Sequence, residues 1–210
     1  MLFIKYKRPI LLLQRSTLMK KVIFPLFYLL VSLPVFGSVE LKSGTTATAI
    51  SGYLGDKVAR KGVPSDYHAI HHLSAGERWD KPCELTVYKG DMNHEEDYLV
   101  TSWDKCTTTS PNKTVGWTSN SNIKVRGIQV CSNNKTNHRL KGIRLYGKAI
   151  HNDGSYTIQT GYEQFKRANC KRWHTPVYCP KGQVATKVII HSTDNEINGL
   201  GLVCRKIQKK

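Results

Sequence analysis

Four tryptophans (Trp79, Trp103, Trp117 and Trp173), with Tyr162, Tyr178 and Asp194, are the side chains here best suited to holding a ligand. Sugar rings present apolar C–H faces and dense hydroxyls, so they bind exposed aromatic plates set beside carboxylates or amides. Trp173, Tyr178, Asp194 and Asn198 stand near one another in the C-terminal part of the chain and form the candidate ligand-binding set. The competing use of each tryptophan is to fill a core between repeated units. Trp103 and Trp173, each close to a cysteine, suit that use best.

A second group is His68-x-x-His71-His72. On a helix these rings would share a face, the geometry that zinc sites use. A third ligand would have to come from Asp66, Glu77 or the more distant His94-Glu95-Glu96, and the His-Glu-x-x-His pattern is not present. The group therefore reads as no metal site, and a charge switch near neutral pH is its alternative use. His68, His71, His94, Ser74 and Asp80 supply the residue types of a hydrolase triad, but there is no Gly-x-Ser-x-Gly elbow and no catalytic cysteine signature. Glu95, Glu96 and Asp97 are adjacent acids of the kind that loops leave solvated. The sequence reads as non-enzymatic and calls for no cofactor.

The elements that must position these residues are strands. A strand–loop–strand unit occurs twice: from Val125 to Tyr146, and from Tyr178 to Ile207. Further runs with period-two alternation include Glu84–Tyr88, Tyr98–Trp103 and Tyr156–Gln159. Turn chemistry separates the runs at Lys89-Gly90-Asp91, Ser110-Pro111-Asn112, Asn133-Asn134, Asn152-Asp153-Gly154 and Asp194-Asn195. Asn198-Gly199 reads as a further left-handed position at a loop exit. Short strands at this spacing predict an all-β sandwich, barrel or prism. Asp66 to Leu73 is the one stretch with a helical pattern, and no first repeat is legible before Ser102.

Residues 1–37 read as a secretory signal with an upstream extension. Met19-Lys20-Lys21 is a basic start, Val22 to Phe36 is almost wholly apolar, and Val35-Phe36-Gly37 resembles a cleavage site. The mature chain then divides into an N-terminal arm or first strands (38–80) and a repeated-strand β domain (81–210). Export agrees with the cysteines: all six, Cys83, Cys106, Cys131, Cys170, Cys179 and Cys204, follow the leader, and an even count implies three disulfides. The net charge is +17, of which six charges belong to residues 1–37, leaving +11. Such a surplus attracts polyanions through a field that salt screens. The basic residues are scattered rather than interleaved with aromatics along one element, which argues against nucleic acid.

The run Trp173-x4-Tyr178-Cys179-Pro180-x-Gly182-Gln183-x-Ala185, followed by Asp194-x2-Ile197-Asn198-Gly199-x2-Leu202-x-Cys204, resembles one repeat of the vitelline membrane outer layer protein 1 family. The resemblance is clearest over Trp173–Cys204 and implies a β-prism: pseudo-symmetric Greek-key sheets about a threefold axis, stabilised by disulfides. It also implies the pairings Cys179–Cys204, Cys83–Cys106 and Cys131–Cys170, and a link to oligosaccharides. The expectation is thus a secreted (periplasmic, in a bacterium) lectin-like protein that uses loops of a β-prism to bind glycans or anionic cell-surface polymers. The alternatives are a toxin or haemolysin acting at an anionic membrane surface, and a structural envelope or coat component.

Overall fold

The computed structural model describes residues 38–210 apart from 63, 94–97, 107–111, 119–120, 134–137 and 158–160. The leader, the acidic run Glu95–Asp97 with His94, and the turn residues Ser110, Pro111 and Asn134 lie outside the described residues.

Every described element is a strand. Four short ones open the fold: β1 (Val39–Leu41), β2 (Thr46–Ala47), β3 (Ser51–Gly52) and β4 (Lys57–Lys61). Next come β5 (His68–Arg78), β6 (Lys81–Asp91), β7 (Tyr98–Asp104) and β8 (Lys113–Gly116). A second group comprises β9 (Ile123–Ser132), β10 (Leu140–Ala149), β11 (Gly161–Lys166), β12 (Arg172–Trp173) and β13 (Val177–Tyr178), and the chain ends in the hairpin β14 (Gln183–Thr193) and β15 (Glu196–Lys209).

These strands form three sheets. Sheet I runs β7-β6-β5-β8; sheet II runs β11-β10-β9-β12, with β13 also on β9; sheet III runs β1-β15-β14-β4, with β2 and β3 also on β15. Each follows one plan: a central hairpin, the next strand beside its second arm, and a fourth strand returning beside its first. That is a Greek key. In sheet III the hairpin is C-terminal and both flanking strands are N-terminal, so the ends of the chain meet in one sheet, with Val39 opposite Lys209. Three Greek-key sheets make a β-prism.

Burial explains why the alternating runs pair in this register. Leu73, Leu85 and Val87 of sheet I, Ile128, Ile143 and Leu145 of sheet II, and Val188, Ile190 and Leu202 of sheet III converge on one core. A one-residue slip would turn any of these sets to solvent. Disulfides Cys83–Cys106, Cys131–Cys170 and Cys179–Cys204 each tie a central strand of one sheet to a neighbouring segment, the pairing that the family resemblance implies.

Four local expectations change. Asp66 to Leu73 is not helical, because most of it belongs to β5. The register between β5 and β6 shifts between Ile70 and His72, and this bulge sends both Ile70 and Leu73 into the core. An extra residue in a strand thus imitates helical spacing. The central hairpin of a first sheet does exist before Ser102; it turns at Trp79-Asp80, which carries no Gly or Asn to announce it. Lys89-Gly90-Asp91 is the end of β6 and not a turn, with Gly90 paired to both Ala69 and Tyr98. Gly199 is not a left-handed position. It lies within β15, where an added Cβ would stand 2.4 Å from the Tyr53 carbonyl oxygen, so glycine is needed for the close crossing of β3.

Candidate functional site: the hairpin end of the prism

The central hairpins of sheets I and III turn tightly. Trp79 and Asp80 have φ of 47° and 65°, and Asp194 and Asn195 have φ of 50° and 61°. Two-residue turns with both φ values positive match the right-handed twist of the flanking strands. Asp and Asn tolerate this backbone, whereas a bulky tryptophan does so at a cost. The sheet II hairpin reaches the same end at His138 and Arg139.

A charged network beneath these turns joins all three sheets. Glu196 accepts hydrogen bonds from Arg139 and pairs with Lys81 at 3.2 Å. Lys141, fully buried, donates to the Asp80 carboxylate at 2.6 Å and to Glu77 at 3.1 Å; Arg167 pairs with Glu77 at 2.9 Å. Asn169 adds a bond to Asp80 at 2.6 Å. Burial alone would raise the Glu196 and Asp80 carboxyls, but these cationic and amide donors hold both below the ordinary carboxylate range. A buried ammonium is tolerable only when paired in this way. The network fixes the three turns relative to one another.

Above it lies a cleft. Two adjoining cavities, of about 220 and 350 Å³, share Lys81, Asp194 and Glu196. The first is walled by Trp79, Asn195 and the Cys83–Cys106 disulfide; the second by Tyr53, His138 and Asn198. Trp79 is 78% exposed, and the Arg78 guanidinium lies 4.1 Å from its ring centre. Tyr53 stacks on His138 at 3.7 Å. An open indole, an exposed carboxylate at Asp194, amides at Asn195 and Asn198 and an ammonium at Lys81 thus border one concave surface. It offers an apolar plate together with donors and acceptors for hydroxyl groups.

The four candidate residues from the sequence do not form one site. Asp194 and Asn198 border the cleft, Asn198 being buried at the start of β15. Trp173 and Tyr178 sit elsewhere, on the outer face of sheet II, because β12 and β13 pair with β9. There the Arg144 guanidinium lies 4.5 Å from the Trp173 ring and 4.6 Å from Tyr162, while Tyr146 lies between Tyr162 and Tyr178. Gly127 makes room for the Tyr178 ring, which an added Cβ would meet at 2.4 Å. The core use holds for Trp103, which is buried, and Trp117 packs partly against the core; Trp173 is not a core residue.

The histidines are on a strand, so they do not share a helical face. His71 and His72 are consecutive at the β5 bulge, with Nδ1 atoms 2.9 Å apart, and His71 Nδ1 lies 2.8 Å from the Trp117 carbonyl oxygen. The His72 ring stacks on Tyr88 at 3.9 Å. Burial lowers the pKa of both: His72 falls to about 4, helped by His71, and His71 shifts the same way although its bond to Trp117 opposes it. His68 instead contacts Ser65 at 2.6 Å. No group of three potential metal ligands occurs among the described residues. Asp80, offered above as a triad acid, is held by Lys141 and Asn169 at the opposite end of β5 from His71.

Sequence reasoning passed over Tyr53, Lys81 and His138, and weighed Trp79 only among the aromatics. The alternation of Leu73 and Ala75 against Leu85 and Val87 was the signal for a hairpin centred on Trp79-Asp80.

No protein-family model matches the sequence, and a comparison with curated proteins returns no match. Among solved structures the chain is similar to Calystegia sepium agglutinin, with 12% identity over 79% of this chain and 99% of that one and a TM-score of 0.45. It is also similar to single-chain recombinant jacalin, with 9% identity, coverage of 78% and 96%, and a TM-score of 0.49. A third is AcmJRL, a mannose-binding jacalin-related lectin from Ananas comosus, with 7% identity, coverage of 77% and 98%, and a TM-score of 0.44. The β-prism assignment rests on strand order and register within this chain.

Proposed function

We propose that this is an exported, non-enzymatic glycan-binding protein whose ligand occupies the cleft at the hairpin end of the prism. The observation that carries the reading is Trp79. A large indole, 78% exposed at positive φ on a tight turn, serves neither the core nor the turn, and strained residues of this kind gather at functional sites. Its face supplies the stacking surface, while Asp194, Asn195 and Asn198 bond hydroxyls. The excess of basic residues draws acidic glycans toward the surface without deciding which sugar is held.

Three disulfides fit an oxidising compartment. The reading includes removal of residues 1–37, with 38–210 as the working protein; N-terminal sequencing of exported protein checks this. The resemblance over Trp173–Cys204 supports kinship with the vitelline membrane outer layer protein 1 family at the level of the repeat.

The test is glycan-array binding by the disulfide-intact protein at 0.05 and 0.5 M salt, beside Trp79→Asn and Asp194→Asn. Selective binding that survives high salt and is lost in both variants supports the cleft. Binding only to acidic glycans, abolished by salt and indifferent to both substitutions, means that charge alone is at work.

A further inference from the structure

The outer face of sheet II carries a second cluster of aromatic side chains, set out by strand register. Tyr162, Tyr146, Gly127 and Tyr178 stand opposite one another on β11, β10, β9 and β13 and form one row. At ordinary strand spacing the row spans about 14 Å. Because Gly127 has no side chain, the Tyr178 ring lies over it, with its centre 5.1 Å from that of Tyr146; Tyr146 in turn lies 6.0 Å from Tyr162. Tyr162 is 53% exposed and Tyr178 49%. Neither ring serves the core, and open aromatic clusters of this kind mark contact surfaces.

A parallel row of Gln164, Arg144 and Gln129 is locked to the first. Arg144 donates to Gln164 Oε1 from Nε at 2.9 Å and from Nη2 at 2.6 Å, and to Gln129 Oε1 from Nη1 at 3.0 Å. Tyr146 donates to the same Gln129 oxygen at 2.8 Å. Two of the five guanidinium N–H donors stay uncommitted.

The charge of this face is uncompensated. Arg126 donates to the carbonyl oxygens of Cys179, Pro180 and Gln183, and Lys148 lies 5.1 Å from the Tyr156 ring centre. Among the described residues none of Arg126, Arg144 and Lys148 pairs with a carboxylate, whereas Arg139, Lys141 and Arg167 at the hairpin end all do. Fixed positive charge beside apolar plates complements a ligand that has both carboxylates and C–H faces, and it repels a second copy of the same face. Cations and rings interleave here although they do not along the sequence, a pattern that single-stranded nucleic acid also fits. Export through an oxidising compartment favours a polysaccharide instead.

We infer that the outer face of sheet II is a second binding surface, for an acidic glycan: sugar rings stack on Tyr162 and Tyr178, and a uronate carboxylate takes the free donors of Arg144. The inference shares with the cleft reading the premise of export and needs neither Trp79 nor Asp194.

The experiment is calorimetric titration of the intact protein with a galacturonate hexamer, with its methyl ester and with a thymidylate hexanucleotide, at pH 7 and 0.15 M salt. The variants are Tyr162→Ala, Arg144→Lys, Trp79→Asn and, as a control for bulk charge, Lys210→Gln. Saturable binding of the acidic hexamer is expected, weakened about tenfold by Tyr162→Ala and by Arg144→Lys and unchanged in the other two. Arg144→Lys keeps the charge but not the planar fork, so its loss separates a site from a general field. Tyr162 is exposed on the edge strand β11, so its variant gives a second reading should the first fail to fold. Absence of saturable binding, equal binding of the ester, or indifference to both substitutions overturns the inference. Tighter binding of the oligonucleotide also overturns it, as does a dimer in sedimentation equilibrium that Tyr162→Ala dissociates. Loss of hexamer binding in Trp79→Asn places the hexamer in the cleft and overturns the second surface, so the two sites are told apart.

Discussion

Acidification should loosen this fold well before its carboxylates titrate, and His72 is the main reason. Its pKa is held at about 4 instead of the ordinary 6.5, chiefly by burial and then by the neighbouring His71. The unfolded chain takes up this proton near pH 6.5 and the folded chain only near pH 4. Between those values the unfolded state binds more protons, so stability falls as pH falls. Linkage gives about 2.4 kcal/mol lost between pH 7 and pH 4.5 for this one group. Solvent reaches the half-buried ring, which lowers the expected figure to about 2 kcal/mol. The perturbation is His72→Phe, which preserves the stack on Tyr88 and removes the charge. Urea unfolding followed by tryptophan fluorescence at pH 7.0 and 4.5, at fixed ionic strength, measures both proteins. The wild type should lose about 2 kcal/mol more than the variant over that interval. His174, also lowered by burial, contributes to both proteins alike; burial lowers His71 in both as well, although the variant removes the ring beside it. Glu196 and Asp80, held low by their partners, begin to lose their contribution as the pH enters the ordinary carboxylate range near the lower end of this interval, and that loss is common to both proteins. An equal fall in the two proteins would refute the argument that His72 is the main acid-sensitive group.

Other predictions concern stability and binding. Replacing Cys179 and Cys204 together by alanine opens a loop with a sequence separation of 25 and should cost about 3.5 kcal/mol, read as a lower urea midpoint. Gly199→Ala drives a methyl group into the Tyr53 carbonyl and should destabilise by about 1–3 kcal/mol, whereas the same change at exposed Gly161, which has open space around it, should cost well under that. Trp79→Asn should hold the thermal midpoint within a few degrees while abolishing glycan binding, since relief of backbone strain offsets the lost contact with Arg78. Lys124, buried and pushed down to about 8, makes stability rise as pH increases from 8 toward 10; Lys124→Met should flatten that rise in the same unfolding assay.

Much of the architecture was written locally. Alternating apolar residues at Ile128/Val130 and Ile143/Leu145 specify strands with one buried face, and Asp194-Asn195 specifies its own turn. The cysteine pairs followed from the repeat that the C-terminal motif resembles. Sheet I was hidden because the local signals there mislead: a bulge at His71 mimics helical spacing, and a tryptophan occupies a turn position where glycine or asparagine would have marked it.

The site was less legible, for a physical reason. Sequence proximity placed Trp173 and Tyr178 with Asp194, but in a strand a few residues carry the chain from one end of a sheet to the other. Edge pairing of β12 and β13 took the first two to the outer face of sheet II. Only the closure of three sheets brings Trp79, His138 and Asp194 to a common end, and only the strand order of sheet II sets Arg144 between Tyr162 and Trp173. Strand-forming pattern is a property of neighbouring residues and can be read along the chain. A cleft assembled from three hairpins depends on contacts between residues scores of positions apart, and these exist only once the sheets have packed.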